Sequence, residues 1–448
     1  MTRASQASQV AAASQAARRG DLLLRAGGAA ALLAALAWYV HLAASNPGMW
    51  SFPLDLTVYR DAGLIVRHVH PYYDPRLASP LLDWPGPPGY AGIKFIYPPF
   101  AALPFALMSY LPLRTLQIAA TWAGVAAVLV TQAAMLRALG QPRGARRAGL
   151  VLLTSAAALM LEPVQRTLYL GQVELVLMAL VTWDMCQPER RWWQGAGVGI
   201  AAGIKMVPLI FIPYLLLTRR FRQAAVAVVV FAVTVLAGFV RLPRDSAQWW
   251  LHGLFARGSY AGNVTYAGNQ SLLAVIARAG GSHTEWLVVA VFTGVLGLAA
   301  AAALDRAGHR PLGFAMTALT GLLVSPISWD HHWVWIALAA PVLACYGLAA
   351  RGAARWACWA AAALVLAVFG AWATSLWGEL TDPAGWDRGV IWAPPNGSGH
   401  EAHWHGLQLL VGNAYVLTGL ALFVVLAVAA AVLARRPSLP DRAAAADT

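Results

Sequence analysis

Apolar runs near residues 27–45, 115–136, 148–162, 172–186, 223–242, 284–304, 312–327, 333–350, 356–376 and 408–434 leave this chain one class of solution. A hydrocarbon core about 30 Å thick takes about 20 helical residues to cross. Inside it every backbone N–H and C=O must be bonded internally, so such runs fold as helices. Hydrophobic residues make up 59% of the chain and charged ones 11%, too little polar surface for a soluble body of 448 residues. The expected fold class is all-α integral membrane.

Arginine placement orients the spans. Arg18/Arg19, Arg143/Arg146/Arg147, Arg190/Arg191, Arg219/Arg220/Arg222, Arg306/Arg310, Arg351/Arg355 and Arg435/Arg436 lie at run ends and are expected on the cytoplasmic side. Two of these clusters flank one run, Gly195 to Leu217, which must then begin and end on the same side. The polar break Gly203-Ile204-Lys205-Met206-Val207-Pro208 predicts the turn, with Lys205 at its tip and Pro208 interrupting the helix. By the same parity the Pro-interrupted stretch from Tyr97 to Leu113 is a partial span. The result is about twelve crossings with both termini inside. Loops 46–96, 243–283 and 377–407, rich in Trp, Tyr, Pro and His, gather on the outer face.

Residues 1–22 read as a disordered cytoplasmic tail, 23–436 as the membrane domain and 437–448 as a second cytoplasmic tail. The net charge of +13 does not imply a nucleic-acid partner, because most arginines mark the ends of apolar runs. Cys186, Cys345 and Cys358 have no paired spacing, which argues against a disulfide framework and a zinc site.

Ionisable residues at membrane depth mark a site or a partner. Asp55 is the first acid after the first span, in Asp55-Leu56-Thr57-Val58-Tyr59-Arg60, and the outer face otherwise gathers cations. Moving a sugar from a phosphate-linked donor to a hydroxyl needs one base for the acceptor proton and positive charge for the departing phosphate. A glycosidase would need two carboxylates. Asp55 is therefore the candidate base, with helix capping as its alternative role. Lys205, His331, His332, Arg166 and Arg60 are the candidate phosphate ligands. Tyr59, Lys94, Tyr97, Gln172, Asn269, Gln270, Trp329 and Asp330 are candidates for sugar or acceptor contact, and Asp330 is the second candidate base.

Structural roles compete with these. Trp and Tyr anchor at interfaces, Gln172 and Asn269 suit helix–helix bonding, Arg60 suits a solvated face, and Glu162 and Glu174 flank Arg166 as possible partners. Asp382, Asp387 and Glu401 suit acceptor recognition in the last loop. Adjacent histidines on a helix point about 100° apart, so His331 and His332 do not suggest a shared metal. No Gly-rich phosphate loop is present, so neither a nucleotide nor a metal cofactor is expected.

Asp55-Leu56-Thr57-Val58-Tyr59, Tyr97-Pro98-Pro99-Phe100, Gly171-Gln172-Val173, Ala202-Gly203-Ile204-Lys205, Asn269-Gln270-Ser271 and the segment from Ser325 to Trp335 resemble, in the same order, a known family. It is the polyprenyl-phosphate-mannose-dependent alpha-(1,2)-mannosyltransferases of actinobacteria, glycosyltransferase family 87. The resemblance covers roughly residues 30–430. It implies a GT-C fold, an inverting mechanism and an aspartate base in the first extracytoplasmic loop, carried onto Asp55. It further implies polyprenyl-phosphate-mannose as donor and a lipid-anchored glycan as acceptor, of phosphatidylinositol mannoside or lipomannan type, at the outer face of the plasma membrane. Asp330 stands where the family pattern tends to a hydroxyl residue and Glu174 where it has Asn, and the 377–407 loop also departs. The rival readings are a flippase or transporter of a lipid-linked sugar, and a related transferase with a pentose donor.

Overall fold

The computed structural model describes residues 3–45, 53–71, 73–74, 76–87, 93–187, 191–256, 262–371 and 388–434. Among the described residues the protein is helical, and the only β pairings are the isolated bridges Leu161–Gly370 and Asn269–Trp329. The helices are α1 Arg3–Ser45, α2 Leu54–Val66, α3 Ala102–Met108, α4 Leu113–Ala138, α5 Ala145–Leu159, α6 Glu162–Leu170, α7 Glu174–Met185, α8 Ala196–Ile204, α9 Phe211–Leu217 and α10 Phe221–Arg241. They continue with α11 Leu272–Arg278, α12 His283–Arg306, α13 Arg310–Val324, α14 Ala339–Ala349, α15 Ala353–Phe369, α16 Leu407–Gly412 and α17 Ala414–Ala434.

Among the described residues, six helices are long and apolar enough to cross a membrane, or seven if the bent pair α6–α7 is one span. The hydropathy reading expected about twelve. The difference lies in where helices stop. Several apolar runs fold into pieces of 10–17 residues, among them Pro99–Met108, Val207–Leu217, Arg310–Val324 and Ala353–Phe369. Residues 3–22, expected to be disordered, are helical and continuous with the first span, in keeping with their Ala- and Gln-rich composition. The 437–448 tail lies outside the described residues.

The chain does turn back at Lys205. Going up α8, added Cβ atoms at Gly195, Gly199 and Gly203 would strike first Gln223, then Ala227, then Thr234, so α8 runs parallel to α10. Segment α9 returns and joins α10 through a tight turn, Thr218 to Arg220. Arg222 Nη2 accordingly donates to the Arg191 carbonyl at 2.8 Å, and Gln223 Nε2 to Gln194 Oε1 at 2.8 Å. The two arginine clusters share one face, as the parity argument requires. At nine residues, α8 rises only about 13 Å, half of a bilayer core.

The opposite end is closed by interlocked loops. Arg278 gathers the carbonyls of Thr265, Tyr266 and Asn269 and the Asn413 side chain at 2.5–3.0 Å. Glu401 Oε1 accepts the N–H groups of Ala267 and Gly397, both at 2.9 Å. Buried Asp245 accepts the N–H groups of Leu81 and Leu82 at 3.1 Å, tying the first outer loop to the second. Glu401, expected to meet an acceptor, is fully committed to this scaffold at Oε1; Asp382 and Asp387 lie outside the described residues.

Candidate active site

Asp55 sits in the first turn of α2, whose N-cap is Pro53 without a side-chain cap bond, so Asp55 does not cap the helix. Its carboxylate is instead hydrogen-bonded by Gln172 and faces the charges of His331, Lys205 and Arg166. Burial pushes its pKa above the ordinary carboxylate value, and these three cations and the Gln172 bond oppose that shift. Tyr59, four residues on, shares the same helix face. Its hydroxyl donates to Gln172 Oε1 at 2.6 Å and lies 2.8 Å from the Tyr97 hydroxyl, to which Gln172 Nε2 donates at 2.9 Å.

Arg60 is a correction. Five residues from Asp55 it projects about 140° away around the helix, and its Nε donates to the Leu111 carbonyl at 3.1 Å, away from the cation cluster.

Gln172 reaches Asp55 because the chain bends by 119° between α6 and α7. Gly171, at the joint, has φ +68°, and a Cβ there would come within 2.6 Å of the Leu56 side chain. Only glycine allows both the left-handed backbone and the close approach to α2.

Lys205 follows α8 in extended conformation, which frees its side chain from the helix. Its Nζ pairs with Glu174 Oε1 and lies 2.8 Å from His332 Nε2 and 5.5 Å from the centre of the Tyr97 ring. An ammonium can only donate, so His332 accepts at Nε2 and carries its proton on Nδ1. Glu174, weighed in the sequence as a partner of Arg166, belongs to Lys205 instead.

His331 and His332 lie on a nine-residue 3₁₀ helix, Asp330–Leu338, unusually long for its type. Their rings are nearly perpendicular, at 81°, and have different partners. Asp330 Oδ1 is 3.3 Å from His331 Nδ1 and Oδ2 is 3.2 Å from Arg166 Nε, ion pairs whose side chains are all over nine-tenths buried. Asp330 is thus spent on orienting Arg166 and the His331 ring. His331 Nε2 is buried without a hydrogen-bond partner among the described residues. Arg166 also stacks 5.1 Å from the Trp392 ring.

Glu162, absent from the expected site, accepts from Tyr415 Oη at 2.6 Å and Trp392 Nε1 at 3.2 Å, holding the last loop against Arg166. Nothing in local sequence signals this, since its partners lie more than 200 residues away.

Asn269, Gln270 and Trp329 serve the scaffold. Asn269 donates to the Val264 carbonyl at 3.0 Å and accepts from Ser328 N–H at 3.0 Å. Gln270 donates to the carbonyls of Ala267 and Gly412 at 2.8 and 2.7 Å. Trp329 bridges to Asn269 and sets its half-buried ring 6.2 Å from Tyr266. Lys94 is half-buried in the irregular segment before Tyr97. No group of three or more potential metal ligands occurs among the described residues.

Asp55 faces Lys205, which Glu174 already holds, and Arg166 and His331, which Asp330 already holds, with a tyrosine and a glutamine beside it, an arrangement that suits transfer to a hydroxyl from a phosphate-linked group. The model of glycosyltransferase family 87 matches residues 95–326, just over half of the chain. The chain belongs to glycosyltransferase family 87. The matched stretch holds Tyr97, Arg166, Gln172, Lys205 and Asn269, while Asp55 and His331 lie outside it.

Relatives of this family member include a Mycobacterium tuberculosis (strain ATCC 25618 / H37Rv) protein named polyprenol-phosphate-mannose-dependent alpha-(1-2)-phosphatidylinositol mannoside mannosyltransferase. It is 34% identical over 58% of this chain and 64% of its own length, so the match spans just under two thirds of that relative. A M. tuberculosis (strain CDC 1551 / Oshkosh) protein named as the corresponding phosphatidylinositol pentamannoside mannosyltransferase is 34% identical over 68% of each chain. Its Mycolicibacterium smegmatis namesake is 31% identical over 73% of this chain and 76% of its own. No solved structure matches.

Proposed function

We propose that the protein is an inverting alpha-1,2-mannosyltransferase. It moves mannose from polyprenyl-phosphate-mannose to a hydroxyl of a lipid-anchored mannoside, of phosphatidylinositol mannoside or lipomannan type, at the extracytoplasmic face of the plasma membrane. The observation that carries this reading is Asp55 facing His331, Lys205 and Arg166 across one buried site. Family membership and the names of the relatives support the donor and acceptor classes. We read the architecture as GT-C type, with the shorter apolar helices as protein-enclosed spans that bring the total to about twelve.

In this reaction Asp55 takes the proton of the acceptor hydroxyl as its oxygen attacks the anomeric carbon. The carbon–oxygen bond to phosphate breaks, and its electron pair leaves with polyprenyl phosphate, which gains a negative charge. Lys205 and the open Nε2 of His331 meet that charge, stabilising the transition state more than the ground state. Arg166, fixed by Asp330 and Trp392, adds long-range attraction. Tyr59, Gln172 and Tyr97 orient Asp55 and the acceptor. Phosphate is a competent leaving group without a protein acid, so the reaction as proposed uses neither nucleotide nor metal.

The test is incubation of purified protein with radiolabelled polyprenyl-phosphate-mannose and a panel of phosphatidylinositol mannosides, followed by linkage analysis of the product. An alpha-1,2-linked mannose in the product is expected. Transfer only from a pentose donor, or vesicle translocation of lipid-linked sugar without transfer, would replace this reading.

A further inference from the structure

At the face opposite Asp55, a cavity of about 190 Å³ opens between the ends of α4, α7, α9 and α13. Arg137, Cys186, Tyr214 and Arg310 line it, with Pro311 and Phe314 as its apolar wall. Arg220 stands beside it and shapes a second cavity of about 320 Å³. Three guanidinium groups thus converge, and Arg220 and Arg310 repel each other across the space.

The carboxylates nearby are committed. Asp305 accepts both Arg220 Nη2 contacts, at 2.8 and 2.6 Å, and the Tyr214 hydroxyl at 2.5 Å. Asp184 is bound by the N–H groups of Gly195 and Val198 at 3.0–3.2 Å. Arg137 and Arg310 have carbonyl partners, donating to Cys186 and to Met185 and Gln187 at the end of α7. Carbonyls cap but do not neutralise. Three guanidiniums against two carboxylates leave an excess of one positive charge among the described residues. Arg137 Nε and Arg220 Nη1 are also buried there without hydrogen-bond partners among the described residues. A partly buried, unbalanced guanidinium cluster is costly unless an anion completes it.

We propose that this cavity binds the phosphodiester of an anionic membrane lipid, Arg137, Arg220 and Arg310 holding the phosphate and the Pro311–Phe314 wall meeting the start of the acyl region. One phosphodiester monoanion matches the excess charge, and guanidinium forks match its oxygens. A lipid is favoured over free phosphate because the cavity lies at helix ends with an apolar wall, on the arginine-rich face where inner-leaflet headgroups sit. The site is independent of the transferase reaction on the other face.

Bound lipid gives a readout without mutation. Delipidated full-length protein in neutral detergent is titrated with phosphatidylglycerol, phosphatidylcholine or inorganic phosphate, bound ligand is counted by native mass spectrometry, and the melting temperature is followed. Phosphatidylglycerol is expected to bind and to raise the melting temperature, and phosphatidylcholine to do neither. The double variant Arg137→Gln/Arg310→Gln should weaken phosphatidylglycerol binding by on the order of tenfold or more, while Arg137→Lys/Arg310→Lys keeps part of it. Equal binding and stabilisation by phosphatidylcholine, or none by either lipid, overturns the proposal. Full stabilisation by inorganic phosphate alone overturns the lipid assignment. If the glutamine variant does not fold, the wild-type titration decides by itself.

Discussion

Asp55→Asn isolates proton acceptance from every other role of that side chain. Asn has the same size and keeps an oxygen for the Gln172 bond. Because Pro53 rather than Asp55 is the N-cap, α2 loses only the favourable placement of a negative charge in its first turn, about 0.3–1 kcal/mol. Turnover should fall by about two to four orders of magnitude, the usual scale for a lost general base, which is about 3–5 kcal/mol of transition-state stabilisation. Donor binding should persist or tighten, since Lys205, His331 and Arg166 lose a competing anion. The pH profile adds a second readout. Burial raises the Asp55 pKa, and only the ionised form accepts a proton, so wild-type activity should be lost as pH falls through a point above the ordinary carboxylate value. That limb should be missing from the residual activity of Asp55→Asn. Single-turnover transfer from radiolabelled donor, with donor affinity measured in parallel, tests both. Near-normal turnover in the variant with the acid limb intact would refute the assignment of Asp55 as base.

Asp330→Asn should be unlike it, costing stability first: it leaves Arg166 buried beside a neutral group, a loss of about 3–5 kcal/mol for a broken buried pair, read as a lowered melting temperature. An unchanged melting temperature would show that the pair contributes nothing. Glu174→Gln frees Lys205 from its carboxylate partner, so the donor-free protein should melt earlier and the donor-induced thermal shift should grow; a smaller shift would mean that Glu174 presents Lys205 to the donor rather than competing for it. Asp245 is pushed up to about 6 by burial. The folded protein holds that proton more tightly than the unfolded chain. Its contribution is therefore full below the ordinary value near 4 and is lost as pH rises past about 6, up to about 3 kcal/mol in all. Asp245→Asn should flatten the pH dependence of thermal stability over that window.

The residue pattern alone determined the medium and the direction of the chain. Apolar run length demands helices, and arginine parity demands the turn at Lys205 independently of any contact, because both rest on transfer free energies of whole segments. The span count was not legible the same way. Hydropathy adds up apolar residues but does not sense that α6 ends at Gly171 or that α8 ends at Lys205, ahead of Pro208, which lies inside the next short turn, or whether a neighbour encloses a short helix. Within the site, helical periodicity already separates Tyr59 from Arg60 relative to Asp55. The partners of the charges were decided elsewhere. Lys205 finds Glu174, and Arg166 finds Asp330, only because the bend at Gly171 presses α6 and α7 against α2 and the 3₁₀ helix. Which carboxylate orients a cation, and which is left to take a proton, depends on distances between residues far apart in the chain. Those distances are set by packing, to which local sequence pattern is blind.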